Sequence, residues 1–360
     1  MTWNLDNSYK QDGKCISAAL LDGSVVPFRG PDGQEVVVKT ANLEKLDHQG
    51  VPGSRGYVAE LPYEGALFQM HLPKSPHLVE VLDVKVTGKR LSVVMPRYDG
   101  DLFQLLQTRQ AQIGDRRCIM HPAVAIGVLL QIARALKIIH DLGWAHMDLS
   151  SENILYRRIP GGKVQFALTD FGLAHLRNKE CRPAAGKAVY MSLELSEAIR
   201  CAQVHAQNGG DLAVSKRCRH VPGVAAGRDG RVLVGDPAAT DVYAIGAILW
   251  SMCTGSMPSG APVTRKDSSR DFRLKHGSRE LMKELRRIGW MYSELPPVEI
   301  TDLLDKLLAD VDARLTPDEL EPELTRVHSM LCLKRKEATW DDNNLAREVR
   351  GVQRSSSSPI

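Results

Sequence analysis

The sequence has no C-x-x-C pair, no uninterrupted apolar run long enough to span a bilayer, and no marked excess of one charge. Each absence removes a class of protein. The seven cysteines (Cys15, Cys118, Cys181, Cys201, Cys218, Cys253 and Cys332) are scattered and odd in number, which argues against a disulfide framework and for a reducing compartment. The longest apolar segment, 123–140, is interrupted by Gln131, Arg134 and Lys137, so it predicts an amphipathic or buried helix rather than a membrane span. With 47 basic against 43 acidic residues the net charge is only +4, too small to point to nucleic acid or a membrane surface. The first residues, MTWNLDNSYKQDGK, lack the apolar core of a secretory signal. A soluble, cytoplasmic protein is the expectation, with the nucleus as a second location and a monomer as the default state.

What is present is ordinary globular composition, 43% hydrophobic and 25% charged, over 360 residues, enough for two lobes. The first ninety-odd residues read as strands. Val25–Phe28 and Glu35–Thr40 flank the turn GPDGQ, and Val81–Met95 folds back around Thr87-Gly88. Between them, 63–72 carries Leu67, Met70 and His71 at helical spacing behind Pro62. After Tyr98-Asp99-Gly100 the apolar period becomes helical, at 101–110 and 122–142. A short strand pair brackets Pro160-Gly161-Gly162, and helices resume at Thr240–Cys253 and Val298–Leu308. The segment 199–238 has weak periodicity and reads as a long loop or insertion. The end, 336–360, is polar and finishes in RSSSSPI, which predicts a disordered tail. The architecture expected is α+β and two-lobed: 1–95, a connector at 96–99, then 100–335 with an insertion at 196–238.

One stretch, AHMDLSSENIL (145–155), carries chemistry: Asp148 and Asn153 lie five residues apart on one loop. Alone, an Asp or Asn in a loop is more often a turn or cap residue than a ligand. Other residues complete an ordered set. Lys39 ends VVVK on a strand, Asp170-Phe171-Gly172 follows a second strand, GKAVYMSLE leads to Glu194, DVYAIG begins at Asp241, and Arg314 lies in LLADVDARLTPDEL. In this order, over about residues 15–332, the sequence resembles the eukaryotic protein kinase family, with serine/threonine specificity as the default because the tyrosine-specific pattern is absent.

The resemblance implies transfer of the ATP γ-phosphoryl group to a protein hydroxyl, a reaction that asks for positioning and charge neutralisation more than for covalent work. A carboxylate at a strand end and an amide oxygen suit Mg²⁺, which assigns Asp170 and Asn153 to metal. Asp148 is the candidate base for the substrate hydroxyl. Lys39 would reach the α- and β-phosphates as a point charge, held by a helical carboxylate. Glu64 is the preferred partner, because Leu67, Phe68 and Leu72 then pack inward behind it, and Glu60, before Pro62, is the runner-up. By the same resemblance Met95 backs the adenine pocket, and adenine would bond the C=O of Pro96 and the N–H of Tyr98. Glu194 and Arg314 are expected as a buried ion pair, and Asp241 as a brace for the catalytic loop. Protein substrates, and neither nucleic acid nor membrane, are the expected partners.

Four departures from the family pattern stand out. CISAALLDGSVV offers only Gly23 where three glycines are usual over the phosphates, and Leu20 falls on the second of these positions. Met147 replaces an Arg that in many relatives answers a phosphorylated loop, while 173–189 contains no Ser, Thr or Tyr; activity independent of phosphorylation there is the expectation. Ser150 stands where serine/threonine kinases usually place a Lys that helps neutralise the γ-phosphate. Leu193 replaces a usual Pro, and the spacing from Glu194 to Asp241 is long. Within that spacing Cys201, His205, Cys218 and His220 form a candidate Zn²⁺ set with an awkward C-x-H end; scattered surface residues are the simpler reading. LKRK (333–336) is an import signal or, more simply, a solvated helix end. A kinase-shaped scaffold without turnover is the alternative function, supported by the degraded Gly-rich loop, and a small-molecule phosphotransferase is a third.

Overall fold

In the computed structural model the described residues are 9–19, 23–43, 62–113, 119–177, 186–207, 222–226, 232–258, 267–291 and 294–334. The first lobe is built from β1 (Lys10–Gln11), β2 (Ser17–Ala19), β3 (Gly23–Arg29), β4 (Glu35–Asn42), α1 (Pro62–Met70), β5 (Asp83–Thr87) and β6 (Arg90–Pro96). The strands form one antiparallel sheet, ordered β1-β3-β4-β6-β5 with β2 beside β3. Both hairpins expected from sequence are present. In the first, Val25 pairs with Lys39 and Phe28 with Val36; Gly33 takes a positive φ of 73° in its turn, a conformation glycine adopts without a Cβ penalty. The second turns at Gly88, φ 59°.

Alternation along the strands gives the sheet two apolar faces. Val26, Phe28, Val36, Val38 and Val94 bury one side. Ala41, Leu91, Val93 and Met95 bury the other against Ala66 of α1. Side chains in a strand alternate sides, so Lys39 shares the second face with Ala41 and points into the cleft below.

The second lobe begins with β7 (Gly100–Asp101), α2 (Leu102–Ile113), α3 (Pro122–Asp141) and β8 (Trp144–Ala145). After a 3₁₀ turn at Ser151–Asn153 come β9 (Ile154–Ile159), β10 (Lys163–Leu168) and β11 (His175–Leu176). The remaining elements are α4 (Leu193–Gln207), β12 (Val224–Ala226), β13 (Val232–Val234), α5 (Pro237–Thr254), α6 (Ser268–His276), α7 (Ser278–Arg287), α8 (Val298–Leu307) and α9 (Pro317–Lys334). The long apolar segment is α3, with Pro122 at its start and the His121 ring accepting the Ala123 N–H. Its Ile126, Leu129, Ile132, Leu136 and Ile139 are fully buried, so it is the central helix of this lobe. Against it packs α5, capped by the Asp236 carboxylate on the Ala238 N–H and closed by Gly255 at φ 75°.

Two expectations fail here. The segment 199–238 is no simple loop: α4 continues to Gln207, and β12 pairs with β13 as a hairpin packed against it. Leu195, Ala198 and Cys201 of α4 make a narrow apolar stripe against Val224, Val234 and Ala238, built from small residues whose periodicity is weak in the sequence. Cys201 is also disulfide-bonded, contrary to the expectation of scattered thiols, so its sulfur cannot serve as a thiolate Zn²⁺ ligand. Cys218 and His220, like Leu20, Glu60 and the tail 336–360, lie outside the described residues. Helices α6, α7 and α9 were not anticipated; α6 and α7 are charge-rich and bury few side chains of their own, whereas α9 lays Leu320, Leu324, Val327 and Leu331 against α3. Leu333 near the end of α9 is 81% exposed, which fits a solvated helix end.

Candidate active site

The catalytic-loop residues sit on a scaffold built by one buried carboxylate. Asp241, on α5 and only 1% exposed, accepts the backbone N–H groups of His146 at 2.8 Å and Met147 at 2.9 Å, and lies 2.9 Å from His140 Nε2. These bonds hold the loop in a turn that an isolated chain would avoid, because Met147 has a φ of 65°, strained for any residue with a Cβ. The His146 ring is bracketed by the Asp148 N–H and the Thr169 carbonyl. The Asp241 brace expected from sequence is therefore present in full.

On that loop Asn153 Nδ2 donates to the Asp148 main-chain oxygen at 2.7 Å and to its carboxylate at 3.1 Å. With both amide protons directed at Asp148, the Asn153 carbonyl oxygen is left as the acceptor end. The other Asp148 oxygen accepts the Lys187 N–H at 3.2 Å. Burial raises the Asp148 carboxyl above the ordinary carboxylate range, and the neighbouring Asp170 charge adds to that. Asp170 also has a positive φ, 68°, which aims its carboxylate back at the sheet. There Lys39 Nζ donates to it at 2.7 Å. Burial alone would raise the Asp170 carboxyl, but the Lys39 ammonium outweighs it and holds the group below its usual value. Two carboxylates in one cleft thus have opposite tendencies, one toward holding a proton and one toward staying ionised.

Glu64 is not the partner of Lys39. It lies exposed in the first turn of α1, and no ion pair joins the two. The reason is the rotation of the helix. Gly65, Ala66 and Gln69 face inward; the Gln69 side chain donates to the Val79 carbonyl at 2.8 Å. Gly65 packs on the main chain of Phe171 and Gly172 so closely that a Cβ would lie 2.8 Å from the Gly172 Cα. Leu67 and Phe68, taken as the inward face from sequence, are only half-buried. Phe68 stacks on Trp144 at 4.2 Å and meets Phe171 edge-on at 5.6 Å, and Phe171 in turn lies 4.8 Å from the His146 ring. This aromatic chain ties α1 to the loop that carries Asp148.

Met95 is buried with Thr169 behind it, Pro96 ends β6, and Tyr98 is half-buried under the Arg157 guanidinium, 5.1 Å from its ring centre. Gly23 opens β3, paired with Ala19. A cleft of about 410 Å³ lies between α1 and the sheet, lined by Lys39, Ala66, Gln69, Met95, Asp170 and Phe171. A second depression, about 260 Å³, adjoins Asp148 and is lined by Gly186, Lys187, Met191, Leu195 and Asp241.

Structural residues complete the site. Arg314 forms a two-pronged pair with Glu194, at 2.5 and 3.0 Å, with both side chains almost fully buried. Met147 fills an apolar cluster with Met191, Leu195 and Val234, and Thr240 points its hydroxyl at the sulfur, 3.3 Å away. Several residues were not singled out from sequence: Gly65, His140, His146, Tyr190, whose hydroxyl lies 2.7 Å from Ser151 Oγ, and Lys187. The Gly-Lys pair ahead of AVYMSLE was the available signal for the last.

A β-rich lobe and a helical one, with Lys39 of the sheet bonded to Asp170 from 131 residues away and the Asn153–Asp148 pair within reach of the Asp170 charge, define a protein-kinase-like fold. The comparisons agree. The family model described as "Protein kinase domain" matches residues 23–205, just over half the chain. The sporulation protein kinase mde3 of Schizosaccharomyces pombe is 30% identical over 38% of this chain and 24% of its own length. Serine/threonine-protein kinase PkaB of Streptomyces coelicolor is 29% identical over 51% of this chain and 36% of its own. Serine/threonine-protein kinase pkn2 of Myxococcus xanthus is 24% identical over 65% and 23%. The chain spans about a quarter to a third of the length of these relatives. It belongs to the protein kinase family.

Proposed function

We propose that this protein transfers the γ-phosphoryl group of ATP to serine or threonine hydroxyls of protein substrates. The observation that carries the reading is the geometry of two neighbouring pairs: Lys39 2.7 Å from Asp170, and Asn153 3.1 Å from the Asp148 carboxylate, with the Asp170 charge close enough to act on Asp148. Asp148, raised in proton affinity yet reachable from the depression beside it, takes the hydroxyl proton as the oxygen attacks phosphorus. Asp170 and the Asn153 oxygen form an oxygen donor set that fits a hard dication, and Mg²⁺ bound there supplies neutralisation of phosphate charge. Lys39 orients the inner phosphates. Met95, Pro96 and Tyr98 frame the adenine. Serine/threonine preference draws on the names of the relatives.

The test combines binding and turnover. Calorimetry should show ATP binding that strengthens with Mg²⁺, and labelled ATP should pass its γ-phosphate to a generic basic protein substrate. Asp170→Ala should remove the Mg²⁺ dependence. Mg²⁺-dependent binding without any turnover in the wild type would favour the scaffold reading, which rests on the single glycine of the phosphate loop. Turnover on a sugar or amine alone would favour a small-molecule phosphotransferase.

A further inference from the structure

The loop from Asp148 to Asn153 reads Asp-Leu-Ser-Ser-Glu-Asn and holds no basic residue. Transfer of a phosphoryl group past two carboxylates, Asp148 and Asp170, needs a cation on the side where the protein hydroxyl enters. Lys39 is committed to the opposite side, against Asp170. Yet a cation is present. Lys187, thirty-seven residues along the chain from Ser150, places its Nζ 2.9 Å from Ser150 Oγ and 3.4 Å from the Glu152 carboxylate. Its own backbone N–H donates to Asp148 at 3.2 Å.

We infer that Lys187 supplies the positive charge that the catalytic loop lacks, reaching the transferred phosphate from the segment that faces the loop. This rests on the phosphotransfer reading above. Three features support it. First, the Lys187 side chain is 37% exposed and borders the depression beside Asp148, so the ammonium has access to an incoming phosphate. Second, its position is fixed at the backbone. Gly186 passes so close to Asp148 that a Cβ would lie 2.7 Å from the carboxylate oxygen, and Tyr190, three residues on, is tied to Ser151. Third, an ion pair with Glu152 this exposed contributes little to stability, so holding the ammonium there has no structural purpose of comparable weight. Ser150 is fully buried apart from the contact it offers, and acts as the rest on which the ammonium is parked.

In the step itself, the substrate hydroxyl oxygen forms a bond to the γ-phosphorus and its proton passes to Asp148. The bond from that phosphorus to the bridging oxygen breaks, and ADP leaves with the electron pair. Lys187 Nζ neutralises charge on the phosphoryl oxygens in flight and exchanges no proton. Because that charge belongs to the γ-phosphate, the residue should distinguish ATP from ADP.

The experiment uses the full chain with Lys187→Met, Lys187→Arg and the charge-transposed double variant Ser150→Lys/Lys187→Ser. Lys187→Met should lower kcat about 10- to 100-fold, leave ADP affinity within about twofold, and weaken ATP affinity several-fold. Lys187→Arg should restore most of the loss. The transposed variant should exceed Lys187→Met at least about tenfold, since it returns one cation to the same place. The inference is overturned if Lys187→Met keeps kcat within threefold and an unchanged ATP-to-ADP ratio, or if neither cation-bearing variant recovers what it loses. Wild type that binds ATP without turnover would sink the phosphotransfer reading alone; the ATP-to-ADP ratio would still decide for or against Lys187.

Discussion

Replacing Arg314 should be among the most damaging single changes in the molecule, and the structure gives the size of the effect. The guanidinium donates twice to Glu194, at 2.5 and 3.0 Å, once to the Ala239 carbonyl at 2.8 Å and once to the Ala309 carbonyl at 3.1 Å, and lies 5.1 Å from the centre of the Tyr243 ring. Side-chain exposure is 1% for Arg314 and 3% for Glu194, so water can replace none of these partners. Arg314→Met strands the Glu194 carboxylate in the core, a loss of about 3–5 kcal/mol. The double variant Glu194→Leu/Arg314→Met removes both charges and leaves only two carbonyls short of a partner, about 1–2 kcal/mol. Arg314→Lys keeps the charge but loses the fork, and should fall between them. Chemical denaturation followed by fluorescence, at constant denaturant slope, reads the midpoints. If the double variant were as unstable as Arg314→Met, the stranded charge would not be the cause and the reasoning would fail.

Other consequences follow from the cleft. Gly65→Ala puts a methyl group against the Phe171 carbonyl and Gly172, so α1 or the Asp-Phe-Gly segment must shift; a loss of about 1–3 kcal/mol and of most turnover is expected, against little change for Gly33→Asn in an open turn. Asp148 and Asp170 should show opposite signs of stability. The Asp148 carboxyl is raised in the fold, so its charged form costs stability that returns as pH falls; Asp148→Asn should leave the denaturation midpoint at pH 8 unchanged or higher while abolishing activity. The Asp170 carboxyl is lowered, so its contribution is present above the unfolded value and lost as pH falls through the folded one; Asp170→Asn should lower the midpoint at pH 8. Phosphatase treatment should leave turnover unchanged, because 173–189 has no hydroxyl residue and Met147 is buried among apolar side chains with no charge to answer a phosphate.

The parts of this structure that were legible in the sequence are those with a strong local code. Alternating Val and Phe around GPDGQ gave the first hairpin, and the Thr87-Gly88 turn the second. The resemblance carried by the order of Lys39, Asp148, Asn153 and Asp170 pointed to their proximity, of which the Lys39–Asp170 and Asp148–Asn153 contacts are seen, and the same resemblance assigned Glu194, Arg314 and Asp241 before their bonds were seen. What was not legible depends on rotation and on small residues. Glu64 was assigned to Lys39 because Leu67, Phe68 and Leu72 looked like the buried face of α1; the face that packs is Gly65, Ala66 and Gln69, where close approach rather than bulk decides. Helix α4 went unread for the same reason, its stripe being Leu195, Ala198 and Cys201. Lys187 escaped notice because the charge missing at Ser150 was sought on the same loop, while the fold supplies it from a segment 37 residues away.

The most direct measurement is a single-turnover assay of γ-phosphoryl transfer from Mg²⁺·ATP to a protein hydroxyl, with enzyme in excess, for the wild type and Asp148→Asn. Transfer by the wild type and a fall of about 10²- to 10⁴-fold in the variant, with ATP affinity unchanged, is what a base at Asp148 predicts. Equal rates in the two proteins, at equal ATP affinity, would contradict it.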